Sequence, residues 1–205
     1  MDLVSRNLID EDMDIVSTKA IIGKRCYEID LSGNNISPIG VSKLVRGLKS
    51  TQALQGLHLE ESEFYNEGVE ILANALSNKS SVEWLYLGGN RITDAGVQYL
   101  ADMFKTNKTL THLCLNRNRI ADRGVQNLCD SLIKSSSPLQ KLDLSNNTCI
   151  TDESVKHLCK IIARLSFLKE LVIKQCSLRE CGIKKLQDAV DDREQEDQWK
   201  ITLLT

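Results

Sequence analysis

Residues 85–100 read LYLGGNRITDAGVQYL, and residues 113–128 read LCLNRNRIADRGVQNL. The second stretch repeats the first after 28 residues, and each changes rhythm in the middle. Leu85 and Leu87 alternate with Trp84 and Tyr86, as a half-buried strand requires. Val97, Leu100 and Phe104 then return at helical spacing, which predicts a helix with one buried stripe. A short strand, a bend and a helix thus make one unit.

The same unit recurs along the chain. CYEIDLSGNNI starts at Cys26, LQGLHLEESEF at Leu54, VEWLYLGGNRI at Val82, LTHLCLNRNRI at Leu110, LQKLDLSNNTC at Leu139 and LKELVIKQCSL at Leu168. Apolar residues hold places one, four, six and usually eleven, and Asn or Cys commonly holds place nine. The starts are separated by 28, 28, 28, 29 and 29 residues, the length of a unit with one strand and one full helix. A single such wedge cannot bury its leucines, so neighbouring units stack and continue a parallel sheet. Helices are thicker than strands, which predicts a right-handed curved solenoid with the sheet on its inner face and about six helices outside.

Several residue types have defined places in this scheme. Asn34, Asn90, Asn118 and Asn147 are suited to bond backbone groups in the bend after each strand, with Ser62 and Cys176 as poorer substitutes. Asp94, Asp122 and Asp152 stand where a carboxylate can cap a helix, although Thr93 or Thr151 can serve instead. Gly68, Gly96, Gly124 and Gly182 fall in the first turn, where close approach of a neighbouring unit explains them better than phosphate binding.

The expected organisation is one domain over residues 1–205. Residues 1–25 form a partial unit or cap, because Leu8 to Val16 follow the rhythm of Ile92 to Leu100; a shortened cap and a piece of something larger both fit. Residues 26–190 hold the six repeats. A charged linker and a degenerate last strand follow at 191–205, fitted on Gln198, Ile201 and Leu203.

This pattern resembles the ribonuclease-inhibitor-like class of leucine-rich repeats over nearly all of Leu3 to Leu203. Repeat domains of NOD-like receptors, GTPase activators of the nuclear-transport GTPase and tropomodulin-like caps share it. The resemblance implies an intracellular, cytoplasmic protein that grips another protein with its repeats, and it supplies no catalytic residues. It also leaves two alternatives open, a GTPase activator or the repeat part of a larger sensor or signalling protein. In the first of these, Arg91, Arg117 and Arg119 would be the arginines to reach a nucleotide.

Composition narrows the rest. With 26 Lys+Arg against 28 Asp+Glu, the formal charge of −2 offers no general attraction to nucleic acid. Apolar runs such as Ala20–Ile22 are too short to span a membrane, and the acidic start does not resemble a secretory signal. Seven cysteines without a CxxC pair suit free thiols in a reducing compartment. A monomer without cofactor or metal is expected.

Strand alternation also selects a candidate binding face. Places three and five turn away from the core and hold Glu28 and Asp30, Gly56 and His58, Trp84 and Tyr86, His112 and Cys114, Lys141 and Asp143, Glu170 and Val172. All of these except Gly56 and Val172, together with Arg117, make the expected protein-binding surface on the concave face, with the Trp84–Tyr86 pair as its anchor. Acidic residues (Glu28, Asp30, Glu60, Glu61, Glu83) come early along this face and basic ones (Arg117, Lys141, Lys169, Lys174) late, a gradient that could orient a partner. His58 and His112 are two strands apart, roughly 10 Å, too far for direct joint metal ligation. His112 with Cys114 lacks the third group that a thiol–imidazole catalyst uses, and His157 is expected on a solvated helix surface.

Overall fold

The computed structural model describes residues 1–78, 80–196 and 202–205. Seven three-residue strands form one parallel sheet in chain order: β1 (Glu28–Asp30), β2 (Gly56–His58), β3 (Trp84–Tyr86), β4 (His112–Cys114), β5 (Lys141–Asp143), β6 (Glu170–Val172) and β7 (Thr202–Leu204). Each pairs with the next at equal places of the repeat, so Ile29, Leu57, Leu85, Leu113, Leu142, Leu171 and Leu203 form one row across the sheet. Behind them stand α1 (Met13–Ile15), α2 (Pro38–Ser50), α3 (Tyr65–Leu76), α4 (Asp94–Phe104), α5 (Asp122–Lys134), α6 (Val155–Arg164) and α7 (Glu180–Glu196). Among the described residues the α-helices therefore number seven, one more than the six repeats suggested, because the N-terminal partial unit supplies its own. There α1 continues a tight turn, Asp10–Asp12, and runs into a π-helical stretch, Val16–Gly23.

Burial follows the repeat. Leu85, Leu87, Val97, Leu100 and Phe104 are fully enclosed, as are their counterparts Leu113, Leu115, Val125, Leu128 and Leu132. Strands are about 4.8 Å apart and packed helices 8–10 Å, so the stack bends toward its sheet. The fifth unit carries one extra residue in its bend. Ile150 takes the core position there, which leaves Cys149 exposed.

An asparagine ladder seals the bends. Asn118 Oδ1 accepts from Asn90 N at 3.0 Å and Ile92 N at 2.9 Å, while its amide donates to the Leu87 and Leu115 carbonyls, both at 3.0 Å. Asn34 does the same for the partial unit through Arg6 N, Leu8 N, Leu3 O and Leu31 O. Residues 1–25 are thus docked like a repeat, with Leu3 N donating to Asp30 O at 2.8 Å. At the substitute positions, Cys176 Sγ reaches Leu144 O at 3.4 Å and Ser62 Oγ only Glu60 O at 3.4 Å.

The alternative helix caps resolve in favour of the hydroxyls. Thr93 accepts from Ala95 N and Thr151 from Glu153 N, both at 3.3 Å. The aspartates instead tie each unit to the following one: Asp94 to Ala121 N, Asp122 to Thr151 N and Asp152 to Arg179 N. This explains the recurrent glycines, since a Cβ at Gly124 or Gly182 would collide with Asp94 or Asp152 of the preceding unit. Gly68 is different; its crowding comes from Phe64 of its own unit.

Two sequence expectations need correction. His157 is buried, at 6% exposure, because its place on α6 faces the preceding helix rather than solvent. The run from 191 onward is not a linker, since α7 continues through Glu196 and Arg193 is buried against the Ile162 carbonyl at 2.5 Å. Gln198 and Ile201 lie outside the described residues, and Leu203 does sit in a last strand.

Candidate protein-binding face

Places three and five lie on the sheet face opposite the helices, as strand alternation requires. Gly56 determines what happens between them. Without a side chain there, Trp84 leans over the second strand, and a Cβ at Gly56 would sit 3.1 Å from Trp84 Cε3 and 2.7 Å from Glu28 Cγ. The indole thereby meets Tyr27 edge-on at 5.6 Å between ring centres, with His112 at 6.3 Å on its other side. One row further along the strands, Tyr86 stacks on His58 at 4.2 Å with the rings nearly parallel. His58 Nε2 in turn bonds Glu28 Oε1 at 2.6 Å. Trp84 and Tyr86 are each half-buried by these neighbours, so the two rings are pre-set rather than freely rotating.

Sequence reading missed Tyr27. It is 53% exposed, the most accessible aromatic ring of the cluster, and it stands at place two, where the other units carry Gln55, Glu83, Thr111, Gln140 and Lys169. A solitary aromatic at that place was the available signal. Reading places three and five alone passes over it.

The electrostatics differ from a simple gradient. Arg117 pairs with Glu61 at 2.8 Å, Arg91 with Glu63 at 3.2 Å and Lys141 with Glu170 at 2.9 Å. Much of the opposing charge is therefore satisfied within the face. Burial raises the Glu60 carboxyl above its ordinary range, despite His58 and Arg117 nearby. His112 is held low by burial and by Lys141. Asp143 turns back to accept from Ser145 N at 2.9 Å and Ser145 Oγ at 2.6 Å, and Asp30 likewise from Ser32 N at 2.9 Å.

Cys114 is on this face by position but only 4% exposed, between Tyr86 and Asp143 in the pairing register. Burial, with Asp143 adding to it, pushes its thiol up to about 12, so it is neither a contact residue at the surface nor an activated nucleophile. Val172 is similarly covered. Arg91 also reaches the Tyr65 hydroxyl at 3.2 Å, so two of the three arginines suited to a GTPase activator are engaged inside the chain; Arg119 is exposed. Among the described residues, no three His, Cys, Asp or Glu side chains group to hold a metal ion. No helix among them is long and apolar enough to cross a membrane.

Comparison with known proteins agrees with the repeat. The family model described as "Leucine Rich repeat" matches residues 28–45, 78–101, 106–129 and 135–159. Among solved structures, an internalin from Listeria monocytogenes is similar at 18% identity and a TM-score of 0.52, over 90% of this chain. This chain spans 49% of that internalin. The actin-binding site 2 domain of leiomodin-1 aligns at 15% identity and a TM-score of 0.47, over 91% of this chain and 92% of that one. The tropomodulin C-terminal domain from Caenorhabditis elegans aligns at 10% identity and 0.48, over 91% and 94%. No curated protein sequence matches. The repeat spacing, the asparagine ladder, the in-order parallel sheet and this family model together make the fold an α/β solenoid of leucine-rich repeats.

Proposed function

We propose that the chain is a non-catalytic protein-binding scaffold or adaptor whose partner docks on the concave sheet face. The observation that carries this reading is the pre-set aromatic group of Tyr27, Trp84, His58, Tyr86 and His112 in the middle of an otherwise polar face. Rigid aromatics lose little freedom on binding, and such anchors dominate interface energetics. Glu28, Asp30, Arg117, Lys141, Asp143 and Glu170 surround them as the polar rim, where ion pairs contribute register more than affinity. Seven free thiols, two of them exposed, favour a reducing compartment such as the cytoplasm.

Capture from the native source tests the reading, with the wild-type chain beside a Trp84→Ala/Tyr86→Ala variant of equal folded fraction. A protein retained by the first and lost by the second supports the site. The same set retained by both would place the partner elsewhere.

A further inference from the structure

Gly56 and Gly88 both stand at outward places of the strand face, and their surroundings differ. Gly56 lies under the Trp84 ring and the Glu28 side chain. Gly88 follows Tyr86 by two residues, and a Cβ there would lie 2.8 Å from Glu60 Oε1 and 2.6 Å from Asn116 Oδ1. Glu60, Gly88 and Asn116 hold place seven in three consecutive units, so a carboxylate and a carboxamide lean from both sides over a residue without a side chain. Gly88 is buried beneath them, and both flanking residues are half-buried in the interior of the sheet.

The chain itself does not satisfy this pair. Among the described residues, Glu60 and Asn116 form hydrogen bonds only through backbone atoms, and no lysine or arginine forms an ion pair with Glu60. The charges that bear on Glu60 are Asp30 and Glu61 against His58 and Arg117. Arg117 is held by Glu61 at 2.8 Å and His58 by Glu28 at 2.6 Å, which leaves acidic groups in excess around Gly88. A carboxylate withdrawn from water without a hydrogen-bond partner is unfavourable, and an arriving cationic donor relieves that cost.

Geometry defines the donor. The point that a Gly88 Cβ would occupy is within hydrogen-bonding reach of both oxygens, and its mirror image across the line joining them is equally near to each and points away from the strand. An arginine suits that position better than a lysine. Its planar, weakly hydrated fork donates to two oxygens on separate side chains and lies easily alongside an aromatic ring, here Tyr86, the preceding outward residue of the same strand. Building on the docking face proposed above, we infer that the partner presents an arginine whose guanidinium sits over Gly88 and donates to Glu60 Oε1 and Asn116 Oδ1.

A nuclear magnetic resonance titration of the full ¹⁵N-labelled chain with N-acetyl-arginine methylamide tests this position. The Gly88 backbone amide and the Asn116 side-chain amide are expected to shift and saturate at roughly millimolar probe. The citrulline analogue, which keeps the shape without the charge, should leave both unmoved. Glu60→Gln is expected to weaken the arginine probe at least about tenfold. Asn116→Asp, which adds a charge beside the bound guanidinium, should tighten it about threefold. Far-UV circular dichroism checks that both variants keep the fold. The probe reports on the position over Gly88 and the capture experiment on the aromatic anchor, so either can fail without the other. Equal shifts with arginine and citrulline, unchanged affinity in Glu60→Gln, or weaker binding in Asn116→Asp overturns the assignment.

Discussion

Replacing Asn118 by alanine examines what holds the repeats together. The Asn118 side chain accepts from two backbone donors, Asn90 N at 3.0 Å and Ile92 N at 2.9 Å, in a site where the asparagine itself is 8% exposed. The two carbonyls it serves are not orphaned by its loss, because Leu87 O also accepts from the Asn90 amide and Leu115 O from the Asn147 amide. The cost therefore rests on the two amide N–H groups. At roughly 1–3 kcal/mol for each buried group left unsatisfied, the loss is about 4 kcal/mol. Urea unfolding gives the total, and hydrogen exchange shows where it falls, with protection lost first at Asn90 and Ile92. Asn127→Ala, which removes only an exposed bond to Gln98, is the control and should cost less than about 0.5 kcal/mol. A loss below about 1 kcal/mol for Asn118→Ala, or unchanged exchange at the two amides, would refute the ladder as a source of stability.

Gly56→Ala forces the Trp84 ring off the second strand, and we expect altered near-UV circular dichroism, unchanged far-UV signal and about tenfold weaker partner binding. In the native state, alkylation is expected to label exposed Cys149 and Cys181 quickly, and Cys114 and Cys129 only after denaturation; peptide mass spectrometry reads the order. Burial holds His157 below its ordinary value of 6.5, with Lys156 adding to that, and among the described residues its Nδ1 has no hydrogen-bond partner. The unfolded chain takes up the proton first, so stability is constant above about 6.5 and falls as pH drops below it. His157→Gln should flatten that fall in thermal melts between about pH 7 and 5.

Much of the fold was legible because the repeat states it six times. Places four and six name the core row directly, and a one-residue slip would expose every leucine in it. The asparagines could be assigned a role from their position alone, since a bend always leaves backbone groups to satisfy. What a single unit does not encode was harder to read. Asp94 looks like a cap until the next unit is placed beside it, and His157 looks solvated until α5 covers it. The charged run after Asp191 resembles a linker in composition, yet its helix is held by Arg193 packing on the previous unit. The binding face shows the same division. Alternation places Trp84 and Tyr86 outward, but Tyr27 meets Trp84 only because Gly56, on the strand between them, leaves the space for the indole to cross.

The proposed docking face is tested most directly by photo-crosslinking with benzoylphenylalanine placed at Asp30 or Lys141 on the sheet side, and at Lys156 or Lys160 on the helix side. Adducts with one protein species from the two sheet positions, and none from the helix positions, are the expected result. The same species captured from Lys156 or Lys160 and absent from Asp30 and Lys141 would contradict it.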